Sequence, residues 1–512
     1  MFRSEPPDAV DPSDPEEPED QGDPGAGAPD LPPLLERVVD WHGDWQARFG
    51  AVPADPALAT PDGETLAVLD ELTDRLEENF PTFHPSYAGH MAQPPHPVAM
   101  AAYLATMMIN PNAVNWDSGP ATVRMEHEVV DQLAAMIGFE GHYLGHLTTG
   151  GTAANLEALY VARERRPELA VAFSDQAHYT HARVCRTLGV EGVVIPSDDR
   201  GRMDVGALRA RLAEGRIGTV VATAGTTGLG AVDPVDEIVV AAREHGALVH
   251  VDAAYGGYFA LLPRSPFPTS RLVDPAPWTA LAAADSVVVD PHKHGLQPYG
   301  CGSVVYRDAS AREFLTDYNS PYLDFESPRV ALGQASLECS RAGAATAALW
   351  ATTRLFPLEP GGRFVEALAA SRRAALRWTA RVESSAVFRS YQPPDLDIVT
   401  YFDGRLRRTS TISAASDRLL VRGRDAENPV HVTQLTVPAS QFHTRHPDVL
   451  VDSDHVRLLR SVLIKPTHEA WVDRLVTRLE DLAGHRSRSR RPPDAPDPAA
   501  AIPLPRSTGS LS

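Results

Sequence analysis

The chain has 512 residues and a formal net charge of −20, with 43% hydrophobic and 22% charged residues. That balance is ordinary for a globular protein with a sizeable core, and the negative excess argues against a surface built to hold a phosphate backbone, so no nucleic-acid partner is expected. No stretch reaches the roughly 18 apolar residues that would cross a bilayer, and the N-terminus lacks the basic-then-apolar order of a secretion signal, so a cytoplasmic protein without a membrane partner is expected.

Residues 1–33 are rich in Pro, Asp and Glu and poor in large apolar side chains, which reads as a disordered acidic arm that cannot offset the entropy of ordering. Residues 34–120 form an N-terminal helical segment. LLERVVDWHGDW and HPVAMAAYLATMMI carry apolar residues at helical spacing, and proline-bearing breaks interrupt the pattern near FPTFHPSYAGHM and INPNAVNWDSGP.

Within residues 121–355 the texture changes to short β-branched runs alternating with amphipathic stretches. LAVAFS, GVVIPS, TVVATAG, LVHVDAA, SVVVDP and GSVVYR are the strand candidates, and such continuous apolar strands with helical crossovers predict a mostly parallel sheet covered by helices on both faces. Ligands in such sheets gather at the carboxyl ends of the strands. Residues 356–485 read as a smaller α+β domain: a long helix (GRFVEALAASRRAALRWTARV), strand candidates DIVTYF, HVTQLTV and RSVLIKP, and a closing helix (HEAWVDRLVTRLEDL). Residues 486–512, which begin RSRSRRPPDAPDP and continue in Pro, Ala and Ser, read as a second disordered tail. Cys185, Cys301 and Cys339 are odd in number and widely spaced, matching neither a disulfide framework nor a zinc pattern, and no metal is expected.

Three segments carry chemistry. In LTTGGTAANLEAL, Thr149, Gly150, Gly151 and Thr152 precede a strong helix, and bare amides at a helix N-terminus suit a phosphate group; a plain Gly-Gly turn with Thr152 as N-cap is the alternative. In HVDAAYGG, Asp252 ends a strand candidate, where a carboxylate can hold a protonated pyridine nitrogen while Ala254 leaves room for a ring; an Asp capping the next helix is the alternative. In DSVVVDPHKHG, Lys293 follows a buried strand candidate. A partly desolvated lysine beside cationic neighbours has its ammonium form disfavoured and forms an imine with an aldehyde; a surface loop lysine is the alternative.

Together, TTGGTAAN, FSDQAHYTHARV, TAGTTGLGAVDPVDEI, HVDAAYGG and DPHKHG occur in the order and spacing of the group II pyridoxal-phosphate-dependent decarboxylases, which the chain resembles over roughly residues 80–480. HKHGLQPYGCG and LECSRAGAATAALW look more like the tyrosine and aspartate decarboxylase branch. The resemblance implies an α/β fold of the aspartate-aminotransferase type (fold type I for this cofactor) with a large cofactor-binding domain, a small C-terminal α+β domain and a homodimer with shared active sites. It implies pyridoxal 5′-phosphate as cofactor and decarboxylation of an L-amino acid, of tyrosine or aromatic type or acidic (aspartate or glutamate).

By the same resemblance Lys293 is the cofactor lysine, Asp252 the partner of the ring nitrogen, and His178 the imidazole stacked on the ring. Gly150, Gly151 and Thr152 hold the phosphate, Thr226 and Ala254 contact the cofactor, His292 supports it, and Tyr87 and His90 line the substrate pocket. A loop tyrosine supplies the final proton, with Tyr322 the first candidate and Tyr318 the second. The chain departs from the family pattern at Cys339, where the branch has glycine, and at Gly119, where the family commonly has serine before proline. Competing readings are another reaction on the same fold (transamination, carbon–carbon lysis, or decarboxylation coupled to aldehyde formation) and a catalytically silent homologue acting as a binding subunit.

Overall fold

The computed structural model describes residues 30–53, 55–316, 331–425 and 427–484. Its larger unit is built on a seven-stranded sheet: β1 (Leu144–Thr148), β2 (Ala170–Ser174), β3 (Gly192–Ile195), β4 (Ile217–Thr223), β5 (Leu248–Asp252), β6 (Ser286–Val289) and β7 (Gly302–Tyr306), in the order β1-β7-β6-β5-β4-β2-β3. Strands β3, β2, β4, β5 and β6 run parallel, whereas β7 is antiparallel to both of its neighbours. All seven residues of β4 are buried, as expected of a strand covered on both faces. The six strand candidates of this region are all strands. β1, with the unpromising sequence LGHLT, is an addition.

The helices of this part of the chain are α1 (Leu31–Ala47), α2 (Asp62–Leu76), α3 (Pro97–Ile109), α4 (Pro120–Ile137), α5 (Gly151–Arg165), α6 (Thr180–Leu188), α7 (Val205–Leu212) and α8 (Val235–Glu244), of which α4, α5, α6 and α8 pack on the sheet. Helix α1 begins at Leu31, inside the last residues read as a disordered arm, because proline in a first helical turn sacrifices no helical hydrogen bond. It packs against α3, yet neither α1 nor α2 buries a residue. Leu66, Leu69, Leu72 and Leu76 of α2 lie at helical spacing and are about half exposed, which leaves an apolar stripe open. No helix among the described residues is long and apolar enough to cross a membrane.

The smaller unit carries an antiparallel sheet of β8 (Phe388–Gln392), β9 (Ile398–Asp403), β10 (Thr433–Pro438) and β11 (His455–Val462), ordered β10-β11-β9-β8. The helices Arg363–Glu383 and His468–Leu482 close its core around the fully buried Trp378.

Strand direction sets where a site forms. Because β1 runs parallel to β6, the carboxyl ends of β1, β4, β5 and β6 share one edge of the sheet with the start of β7. Thr149, Asp252 and Asp290 therefore emerge together. The smaller unit reaches this edge through Asp397, which is fully buried just ahead of β9. Its Oδ1 accepts from the Tyr255 hydroxyl (2.5 Å), and its Oδ2 pairs with His294 Nε2 (2.9 Å), the residue after Lys293. Burial alone would raise this carboxyl, but His294 and the hydrogen bond from Tyr255 hold it below the usual carboxylate range. Breaking such a buried pair leaves one partner uncompensated, so Asp397→Ala is expected to cost about 3–5 kcal/mol of stability, read as a lower denaturant midpoint in chemical unfolding.

Candidate active site

At the shared edge lies a cavity of about 360 Å³, within the size range of small-molecule sites. Thr149, Gly150, Gly151, Thr152, His178, Asp252, Ala254, His292 and Lys293 all line it. With Thr223, Gly225 and Thr227, five chain segments converge on one space.

One wall is the start of α5. Gly150 is its N-cap at φ 148°, a conformation that side-chain-bearing residues rarely adopt, and no side chain caps the helix. Thr152 is not the cap but stands exposed in the first turn. At Gly151 a Cβ atom would come within 2.6 Å of Asp290 Oδ2, and at Gly302 one would come within 2.6 Å of the Gly150 backbone. Glycine is required here by close approach, and the first-turn amides are left as donors for an anion. Thr149 is already engaged: its amide and hydroxyl donate to Glu338 at 2.9 and 2.6 Å.

The floor carries Asp252 at the end of β5. Its Oδ1 accepts from the Ala254 amide (3.1 Å) and its Oδ2 pairs with Nε2 of the fully buried His181 (2.8 Å). Burial would raise this carboxyl, but the hydrogen bond and charge of His181, with Lys293, hold it far below the usual carboxylate range. The site therefore keeps a fixed negative charge. Beneath it His250 is held by Asn155 and Ser286 (2.8 Å each), and burial lowers its pKa to about 3, which keeps the imidazole neutral.

His178 stands just before α6. Burial first, then Lys293 and His181, lower its pKa against the pull of Asp252, and its Nδ1 accepts from the Thr180 amide (3.3 Å), so it presents a neutral ring with its proton on Nε2.

Lys293 is one-fifth exposed, and its nearest charged partner is an anion: Nζ lies 3.2 Å from Asp290 Oδ2. The cationic neighbour expected from the sequence, His292, is instead biased towards neutrality by burial, with its Nε2 3.5 Å from the same oxygen. Local sequence does not reveal that Asp290, three residues earlier in the same turn, folds back onto both.

Other expected residues lie elsewhere. Thr226 does not line the cavity; its hydroxyl accepts from the Ala231 amide (3.1 Å) within its own turn, although Gly225 and Thr227 beside it do line the space. Tyr87 and His90 line a separate small cavity with Phe80, Arg424 and His431. Tyr322 and Tyr318 lie outside the described residues. Gly119, one of the two departures, has a local reason: a Cβ there would come within 2.6 Å of the Asn112 carbonyl. Cys339 is exposed and nothing in the structure explains it.

The fit to pyridoxal phosphate is good. A donor-rich helix start, a fixed carboxylate and a primary amine face one cavity, and four buried polar atoms around it, Thr180 Oγ1, Thr223 Oγ1, Asp290 Oδ1 and His292 Nδ1, lack partners. Buried orphans of this kind mark the place of a polar ligand. Residues His181, Thr223 and Asp290 lie inside the motif strings without any local signal of their own, and only their folded positions give them roles.

Residues 53–383 match the family model described as "Pyridoxal-dependent decarboxylase conserved domain". The L-tyrosine decarboxylase of Levilactobacillus brevis is 29% identical over 436 residues, covering 64% of this chain and 69% of the relative. The probable L-aspartate decarboxylase of Pyrococcus abyssi is 31% identical over 289 residues, 56% of this chain and 71% of the relative. In fold, the chain resembles mouse CSAD in apo form at a TM-score of 0.70 and 23% identity, covering 88% of this chain and 99% of that one. Oryza sativa TDC, solved with PLP and tryptamine, matches at 0.70 and 21% identity, covering 90% and 99%.

The electrostatics give a direct check. In the cofactor-free protein His178 is expected to titrate below its ordinary 6.5, because burial opposes its charged form. A histidine NMR titration measures this, and a midpoint above 6.5 contradicts it.

Proposed function

This chain belongs to the pyridoxal-dependent decarboxylase family and is a pyridoxal-phosphate-dependent carboxy-lyase; from that premise we propose which of its residues hold the cofactor and what it decarboxylates. The observation that carries the reading is the meeting of Lys293, Asp252 and the uncapped start of α5 in one cavity. Lys293 is the residue that bonds the cofactor aldehyde. With the cofactor bound, Asp252 would pair with its ring nitrogen, Gly150, Gly151 and Thr152 would hold its phosphate, and His178 and Ala254 would adjoin the ring. His292 supports the lysine turn, and the Thr226 turn flanks the ring.

Bound pyridoxal phosphate supplies an aldehyde for the substrate amine and a ring that accepts the electrons left when carbon dioxide departs. The chain's part is electrostatic. Asp252, kept charged by His181, fixes a positive charge opposite it at low cost in reorganisation, which is the kind of preorganised field that lowers barriers most. His178, neutral and flat, offers an aromatic face with no competing charge. The proton that completes the amine product is assigned to Tyr322, or failing that Tyr318.

The substrate we propose is an L-amino acid of tyrosine or aromatic type, or an acidic one; the tyrosine and aspartate decarboxylases among the relatives support this pairing. The proposed active assembly is a cytoplasmic homodimer, with the exposed stripe of Leu66, Leu69, Leu72 and Leu76 covered by the second copy. The proposed division places the cofactor domain at 121–355 and the small domain at 356–485.

Lys293→Ala is expected to abolish both turnover and the visible absorbance of the bound cofactor, and a turning-over Lys293→Ala protein refutes the assignment. Asp252→Asn is expected to retain cofactor while losing at least about 100-fold in rate, as removal of a main electrostatic contact does. Stoichiometric carbon dioxide and amine from a panel of tyrosine, aspartate, glutamate, DOPA and tryptophan identify the substrate; ammonia and peroxide instead point to the aldehyde-forming reaction. Light scattering on a column tests the dimer: Leu69→Asp combined with Leu72→Asp is expected to yield monomer, and an unchanged mass counts against the α2 interface.

A further inference from the structure

The carboxylate of Asp290 sits where the proposed function gives it no task. It is 2% exposed, with Oδ2 at 3.2 Å from Lys293 Nζ and 3.5 Å from His292 Nε2, while Oδ1 is buried without a partner. The same carboxylate abuts the first residue of α5, since a Cβ on Gly151 would meet Oδ2 at 2.6 Å. It therefore lies against two functional groups of opposite preference: an ammonium that it attracts and an anion cradle whose occupant it repels. The other titratable groups facing it are His178 before α6, Tyr258 beyond β5 and Cys301 ahead of β7.

A buried carboxylate beside a phosphate site lowers affinity for phosphate, and its Oδ1 makes no hydrogen bond that would offset its burial. What it does provide is a seat for Lys293 whenever that amine is not bonded to the cofactor. We propose that Asp290 is the positioning residue that docks the free Lys293 ammonium, restraining cofactor loading and holding the lysine in place after a substrate amine has displaced it.

Loading forms a C=N bond between Nζ and the aldehyde carbon and breaks the aldehyde C=O bond. Two of the three ammonium protons leave with that oxygen as water, and no electrons are gained or lost. Docking on Asp290 opposes the first step, because the attacking nitrogen must shed a proton and leave its counter-ion.

The proposal rests on Lys293 being the cofactor lysine, and its test keeps the two apart. Full-length cofactor-free protein is mixed with pyridoxal phosphate, followed by absorbance, and separately with pyridoxine phosphate, which has the phosphate but no aldehyde, followed by calorimetry. Asp290→Asn, which preserves shape and removes charge, is expected to capture pyridoxal phosphate about five- to tenfold faster and to bind pyridoxine phosphate several-fold tighter, as loss of a neighbouring like charge predicts. Its kcat is expected to fall with KM little changed, and Asp290→Glu to restore slow capture. Weaker binding of both ligands by a folded Asp290→Asn protein means that the residue merely supports the cradle, and unchanged binding means that it does nothing to either; each overturns the proposal. Should Asp290→Asn fail to fold, Asp290→Ser is measured under the same criteria. Capture by Lys293→Ala at the wild-type rate would instead overturn the lysine assignment.

Discussion

The structure around the cavity is organised by one demand, that Asp252 remain charged while buried. A carboxylate removed from water at the end of β5 is expensive unless it is paired and hydrogen-bonded. His181 meets that demand from α6, the Ala254 amide from the next turn, and Lys293 from the turn after β6. The position of α6 over the sheet, the small residue at 254 and the parallel run of β5 beside β6 all serve this pairing. His250 below it stays neutral and adds no competing charge.

Close approach is the second constraint. The start of α5, the start of β7 and the turn after β6 come so near that Gly151 and Gly302 have no space for side chains, while Gly150 holds a positive φ that favours glycine. Bare backbone is what an anion needs, so the packing that forbids a Cβ also exposes the amides. The crowding brings Asp290 against α5 as well, which gives the cavity two carboxylates of different character: Asp252, satisfied on both oxygens, and Asp290, satisfied on one.

The smaller unit contributes at a distance. Asp397 ties His294 and Tyr255 together at the junction, and Arg372 from the helix Arg363–Glu383 donates to the Leu396 carbonyl beside it. The loop bearing Lys293 is thereby anchored to both units. Arg460 of β11 adds a second tie, donating to the carbonyls of Thr227 and Gly228 at the cavity edge.

The amino-acid sequence by itself determined the α/β class, six of the seven large-sheet strands, the closing helix His468–Leu482 and the cavity-lining set of Gly150, Gly151, Thr152, His178, Asp252, Ala254, His292 and Lys293. These were legible because β-branched runs, helical periodicity and glycine pairs are local patterns. β1 and β8 escaped because LGHLT and FRSYQ carry no such pattern, and their pairing with β7 and β9 makes them strands. Tertiary structure alone decided that His181 meets Asp252 across 71 residues of chain, that Thr226 spends its hydroxyl within its own turn, that Tyr87 and His90 line a different cavity, and that the charge beside Lys293 is negative. Such facts depend on which strand ends share an edge and how closely their turns pack, and a linear pattern carries neither distance nor direction.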